Sequence, residues 1–382
     1  MNKSNILVNA LGIRDSGGLA TLKKTLNELK SEIHNDYYIF TFEGKYLSNL
    51  LANYINVSHL HFLTIKDKGI IYRICYENFY FPFFCKNNHI VLIYNLTGSS
   101  QFFSKILSIV KVQNLLFFSK KLDLAYIDHN KWWLWIRQVW LKRLVFSFML
   151  RNSKHIEIQS EHVKEELSKF ININNKNFYV KSDIHVEPIE KLITRQYNFQ
   201  ESVTFLFITG PHFYLPHKNI VDFVKSMVRL LELGMDYRIN ITLSYEQLNK
   251  SGLWNNQLNN VTSFLGYLDE TKKIQSLYTD NSILVSTSVI ETLGLHVIDA
   301  ILNDIVCIVP DENYSEFVYG VDIPTYKLYD DNSLTMEILK LTSCNNHECQ
   351  SIISSCQSHI FESEKRKIKS SVSLFTQIVG GV

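Results

Sequence analysis

Two carboxylates stand eight positions apart in Glu291-Thr292-Leu293-Gly294-Leu295-His296-Val297-Ile298-Asp299, with a glycine between them. The apolar run Ile283-Leu284-Val285 leads in as a strand, and Ala300-Ile301-Leu302 continues as a helix. A turn from strand to helix presents unpaired backbone N–H groups and a positive helix end, which suits a phosphate. Carboxylates on either side can hold hydroxyl groups through charge-assisted hydrogen bonds. Phosphate in the middle and hydroxyls at both ends describe a sugar nucleotide.

Three further groupings could serve the same chemistry. Phe207-Ile208-Thr209-Gly210 ends a strand, and His217-Lys218-Asn219 opens a helix. There a lysine can neutralise a diphosphate while the helix terminus donates N–H groups. The same residues would also serve as an N-cap at Asn219 beside two solvated basic groups. The loop Asp15-Ser16-Gly17-Gly18 lacks Cβ atoms at its glycines, so backbone can approach a ligand closely, or simply turn tightly. It does not have the G-x-G-x-x-G spacing of a nicotinamide site. Tyr126-Ile127-Asp128-His129 reads as a polar pair ending a strand Leu124–Ile127, where an α/β sheet binds ligands or where the chain simply turns.

The elements that must position these groups alternate. Strands are expected at Ile6–Ala10, Tyr37–Thr41, Ile90–Tyr94, Ile156–Gln159 and Phe178–Lys181. Leu19, Leu22, Leu26, Leu29 and Ile33 recur at helical spacing. A helix capped by Ser160 is expected next. The second half is more regular: strand Val203–Ile208, helix from Asn219 to Leu233 stopped by Gly234, strands Arg238–Leu243 and Val261–Leu265, a helix over Thr271–Tyr278, and strand Ile305–Val309. Such alternation implies doubly wound parallel sheets. Val186–Ser202 is polar and poorly periodic, which sets a first domain at 1–190, a linker at 191–202, a second domain at 203–363 and a last helix over 364–382 packing back on the first.

At 382 residues two domains are expected, and 46% hydrophobic with 20% charged residues fits a globular chain. A net charge of +2 argues against nucleic acid as a partner. Met1-Asn2-Lys3-Ser4 passes directly into a strand without a leader pattern, and no apolar run has spanning length, so a cytoplasmic location is expected. The six cysteines form no CxxC pair; Cys344, His347, Cys349, Cys356 and His359 are too loosely spaced for an expected zinc site. From Trp132 to Phe148 tryptophans alternate with cations. At about 100° per residue, Trp132, Trp135, Val139 and Phe146 share one face and Leu134, Leu141, Val145 and Phe148 another. That pattern fits either partial burial or peripheral contact with a membrane.

The stretch Ser286 to Ala300 resembles the Glu-x7-Glu signature of the retaining "group 1" glycosyltransferases of GT-B fold (family 4-like). There a serine-bearing strand end leads to Glu-x-Phe-Gly-Leu-Pro and then Glu-Ala. This chain has Leu293 for the aromatic residue, His296 for the proline and Asp299 for the second glutamate. Lys218 also matches, but the arginine that often follows the first glycine is replaced by Pro211. The resemblance implies two Rossmann-like domains facing across a cleft. It implies transfer of a sugar from a nucleoside diphosphate to a hydroxyl of a glycan, with retention and without metal or other cofactor. Glu291 and His129 would act at the donor sugar. Gly17, Gly18, Gly210, Lys218, Thr292, Gly294, Leu295 and Asp299 would bind the rest of the donor. No Asp-x-Asp motif for a metal-held diphosphate occurs. The expected setting is bacterial surface polysaccharide such as O-antigen or capsule, on a lipid-linked acceptor at the cytoplasmic face of the inner membrane. A sugar-nucleotide epimerase or hydrolase of the same fold, or a non-catalytic assembly protein, are the rival readings.

Overall fold

Every described strand pairs in parallel, so each link between neighbours must cross a face of its sheet, and among the described residues helices make those crossings except between Asn95 and Leu107, which a loop joins. The structure is a computed structural model that describes residues 4–13, 16–102, 104–128, 132–184, 195–210, 212–268 and 271–380. The first sheet comprises β1 (Ser4–Asn9), β2 (Asn35–Phe42), β3 (Leu60–Ile65), β4 (Ile90–Asn95), β5 (Leu107–Lys111), β6 (His155–Ile158) and β7 (Asn177–Val180). The second comprises β8 (Thr204–Phe207), β9 (Arg238–Ile241), β10 (Thr262–Phe264), β11 (Ser282–Val285), β12 (Val306–Pro310) and β13 (Thr325–Tyr326).

The first sheet runs β3-β2-β1-β4-β5-β6-β7, and its order reverses between β1 and β4. The second runs β10-β9-β8-β11-β12-β13 and reverses between β8 and β11. A doubly wound sheet opens a crevice at the carboxyl ends of the strands where its order reverses. Register sets the second crevice: Ile283 lies beside Phe205 and Leu284 beside Leu206, so the loops after β8 and β11 leave the sheet side by side.

Two units hold these sheets. One contains the chain up to Phe118, Trp133–Asp183 and Lys367 onward; the other contains Ser119–Trp132 and Ile184–Arg366. A buried ion cluster fixes the first unit where the chain leaves it. Lys111 Nζ lies 2.8 Å from Glu157 Oε1 and 2.6 Å from Asp183 Oδ2, and Lys181 Nζ lies 3.3 Å from Glu28 Oε1. The tail returns through a bridge from Ile368 to Lys181. Helix Ser371–Val379 then buries Leu374, Phe375 and Ile378 in the first core, with the Phe375 ring 5.0 Å from Tyr94.

Several expectations need correction. Leu124–Ile127 is not a strand: it lies in helix Lys120–Asp128, with Leu122, Ala125 and Tyr126 buried and Leu124 exposed, a helical rather than alternating pattern. Gly17 and Gly18 are not in a loop but in the first turn of helix Ser16–Lys30, and the left-handed φ of +108° belongs to Gly12. Ser160 starts helix Glu161–Ser168 without a side-chain cap; its hydroxyl meets His162 Nδ1 instead. Strands β3 and β5 and the helical stretch Ile70–Asn87 went unread. Residues 119–132 cluster with the second unit rather than with the chain on either side of them. Phe375→Ala should lower the unfolding free energy by about 3–5 kcal/mol, measurable by urea denaturation of the full chain.

Candidate functional site

The second crevice is built from two loops whose bases the sheet register has already set together. After β8, Thr209 and Thr242 bond reciprocally: Thr209 N–H donates to Thr242 Oγ1 at 2.9 Å, and that hydroxyl donates to Thr209 O at 2.9 Å. The chain then makes a tight turn at Pro216–Lys218, passes Asn219 at φ +43°, and enters helix Ile220–Glu232. After β11, residues 286–294 lead to helix Leu295–Leu302. The loops are stapled by backbone groups. Val289 N–H donates to His217 O at 2.9 Å, and Thr287 Oγ1 donates to Lys218 O at 2.7 Å.

This brings Lys218 and Glu291 together. Lys218 Nζ donates to Glu291 Oε1 at 2.7 Å and to Ser288 Oγ at 3.2 Å. Burial alone would raise the Glu291 carboxyl, but Lys218, with help from His296 and Ser288, outweighs it and holds the value down to about 2. Glu291 is therefore ionised at neutral pH and is neither a proton donor nor a useful base. His296 Nε2 meets Ser286 Oγ at 3.3 Å, and burial pushes this imidazole down to about 4. His217 is buried, pushed by burial to about 3, and its Nδ1 has no hydrogen-bond partner. A neutral His217 cannot supply the charge of the arginine replaced at position 211.

Gly294 meets a double demand. Its φ is +57°, and a Cβ there would lie 2.0 Å from Tyr319 Oη. Tyr319 in turn donates to Leu293 O at 3.1 Å. The glycine thus starts the helix at Leu295, whose first-turn N–H groups point out of its end. Asp299 lies one turn further on and faces another neighbour. Its Oδ2 accepts from Tyr278 Oη at 2.9 Å and its Oδ1 from Gln275 Nε2 at 3.2 Å. Burial raises its carboxyl, and these two donors lower it in part.

The structure therefore gathers Lys218, Glu291, Ser288 and His296 at the end of one helix that also carries Asp299. Gly210 lies in the loop three residues beyond β8, with open space where a Cβ would stand, so no packing demand explains it. Thr292 is half-buried and Leu295 exposed. His129 and Pro211 lie outside the described residues. Helix Lys120–Asp128, which leads to His129, packs against the Pro216–Lys218 turn. Sequence reasoning missed Tyr278 and Gln275 as partners of Asp299. The helix expected over Thr271–Tyr278 ends at Gln275, so Tyr278 lies beyond it, and nothing in the spacing shows which way either side chain points. Among the described residues no three potential metal ligands come together. Cys349 and Cys356 are buried in separate cores.

No known sequence family matches the chain, and no curated protein matches it. Solved structures do. Sucrose-phosphate synthase from Thermosynechococcus elongatus matches with a TM-score of 0.72 at 12% identity over 100% of both chains. Anabaena HepE, solved with UDP and glucose, matches with a TM-score of 0.62 at 12% identity over 99% of each. WaaG, a glycosyltransferase involved in lipopolysaccharide biosynthesis, matches with a TM-score of 0.64 at 10% identity over 98% of this chain and 100% of its own. At such identities the likeness establishes the architecture, the GT-B pairing of two Rossmann-like units, which these glycosyltransferases share.

The Lys218–Glu291 pair stabilises the fold fully above the ordinary carboxyl value of 4.5 and loses its effect as pH falls through about 2. Lys218→Met leaves the carboxylate without its cation, so Glu291 should titrate above its ordinary value. Stability should drop by about 1–3 kcal/mol at neutral pH and by less near pH 4, which urea melts at the two pH values would resolve.

Proposed function

We propose that the chain is a nucleotide-sugar-dependent glycosyltransferase acting on a glycan hydroxyl, with retention and without metal. The observation that carries this reading is the Lys218–Glu291 pair at the start of helix Leu295–Leu302, on a sheet of GT-B architecture. A diphosphate would draw Lys218 away from Glu291 and cap the N–H groups of Leu295 and His296. Gly210 would let backbone approach it and Thr292 would contact the donor, while Gly17 and Gly18 keep the donor-binding role that the resemblance implies. When the anomeric C–O bond breaks, its electron pair leaves on the diphosphate, where Lys218 and the helix end take up the charge. Glu291, ionised, faces the positive charge developing on the sugar. The acceptor oxygen forms the new bond and gives up its proton to the departing diphosphate. A phosphate that titrates near about 6 is a stronger base than Glu291 at about 2 or His296 at about 4. His129 keeps the role of a donor-sugar contact that the resemblance implies.

Asp299 would hold ribose hydroxyls with the lone pairs that Tyr278 and Gln275 leave. Anabaena HepE was also solved with UDP-glucose, so uridine nucleotides head the donor screen. WaaG's involvement in lipopolysaccharide biosynthesis fits a bacterial surface-glycan acceptor, lipid-linked and reached from the cytoplasmic side, with the Trp132–Phe148 segment near the membrane.

Thermal shift with a panel of nucleotide sugars should single out one donor. With that donor, diphosphonucleoside release should rise when a saccharide acceptor is added; release indifferent to every acceptor would instead fit a hydrolase. Glu291→Gln should lower kcat by about 10²–10³-fold while the fold, followed by circular dichroism, stays intact. Asp299→Asn should weaken binding of the nucleoside diphosphate by about tenfold and leave pyrophosphate binding unchanged, as read by calorimetry.

A further inference from the structure

Two helical stretches of the first unit leave rows of large apolar side chains exposed to solvent. The first is Ile70–Cys75, a π turn Tyr76–Tyr80, and Phe81–Asn87. Within it Glu77 and Asn78 are buried, while Ile71, Phe79 and Phe83 are 76%, 71% and 63% exposed. With Cys75, also exposed, they repeat every fourth residue and make one stripe. The buried polar groups are engaged. Glu77 Oε1 accepts from Arg73 Nε at 2.7 Å and from Asn9 Nδ2 at 2.9 Å.

The second stretch also exposes a row of apolar side chains. A π turn Ile136–Trp140 precedes helix Leu141–Asn152. Val139, Ser147 and Met149 face inward, and Trp133, Trp140, Leu144 and Phe148 are all exposed. The extra residue of the π turn shifts the helix phase, so a uniform 100° plot assigns the faces wrongly. A single loop fastens both stretches. Asn78 Oδ1 accepts from Phe102 N–H at 2.5 Å, Ser100 Oγ donates to Met149 O at 2.9 Å, and the Phe102 ring lies 5.1 Å from Phe148. The two stripes therefore flank residues 99–102 of one unit.

Their charge is one-sided. Lys68, Lys86, Lys105, Arg137 and Arg151 are exposed on these stretches and their loop. The one acid within residues 68–87 and 132–152 is Glu77, which is buried against Arg73. Asp67, just ahead, accepts from Gly69 N–H. Aromatic and aliphatic tips with cations around them match the boundary of an anionic bilayer, where rings sit among headgroups and cations meet lipid phosphates. Among the described residues no helix is long and apolar enough to cross a membrane.

We propose that the two stripes together seat the first unit on an anionic lipid surface, with the Ile71–Phe83 stripe as a footing equal to that of Trp133–Phe148. This rests on the membrane placement proposed above for Trp132–Phe148 and adds a second footing to it, and its test needs no nucleotide sugar, so it stands or falls apart from sugar transfer. The full chain is sedimented with phosphatidylcholine vesicles with and without phosphatidylglycerol. Binding should require the anionic lipid and weaken as salt rises. Phe79→Ser with Phe83→Ser, and separately Trp140→Ser with Leu144→Ser, should each cut the bound fraction by roughly threefold or more. In the native chain, brominated phosphatidylglycerol should quench tryptophan fluorescence, a readout that needs no variant. The proposal is overturned if the native chain ignores anionic vesicles, or if the Phe79/Phe83 variant, folded by circular dichroism, binds as well as native. It is equally overturned if light scattering shows a dimer that these substitutions dissolve, since a second copy would then cover the stripes.

Discussion

The salt bridge between Lys218 and Glu291 is the contact on which the second crevice depends. It joins residues 73 positions apart, and it does so because β8 and β11 are neighbours in the sheet. It also decides the chemistry open to the site. A carboxylate held at about 2 beside neutral imidazoles leaves electrostatics as the principal means of action. The site can place charge against charge, but none of Glu291, His296 and His217 is tuned to exchange protons near neutrality.

The two sheets reach the same topological solution and fill it differently. In the first, the reversal point between β1 and β4 is occupied by the protein's own polar groups. Asn9 bonds Asn95 at 2.9 Å, and Arg73 ties Glu77 to Thr97 and Ser99. In the second, the corresponding point ends in a glycine-started helix with its N–H groups directed outward. One crevice is closed by side-chain hydrogen bonds; the other presents charge and dipole to a ligand.

Much of this was legible in the sequence where local and global signals agree. Strand β11, Gly294 and the helix behind it were readable because an apolar run, a glycine and an apolar helix follow one another. Lys218 was readable because it precedes a strongly amphipathic helix. Helix Lys120–Asp128 was misread because its leucines and tyrosine fit a short strand as well as a helix, and only the exposure of Leu124 between buried Leu122 and Tyr126 separates the two. Ile70–Asn87 was silent for a physical reason. Ile71, Phe79 and Phe83 face solvent while Glu77 faces the core beside Phe81 and Cys85, which blurs the pattern that periodicity arguments assume. Partners of Asp299 were also beyond reach, since side-chain direction depends on packing between helices.

The return of the tail has a consequence for how the chain comes into being. Leu374, Phe375 and Ile378 belong to the core of the unit that contains the first strand. On the ribosome that unit is nearly all made before its last helix exists, while the second unit needs nothing beyond Arg366. Domains that follow one another along a chain fold in the order they are made. Here the order is inverted: of the two units, the one begun first is completed last, and its core stays open until the second has been made.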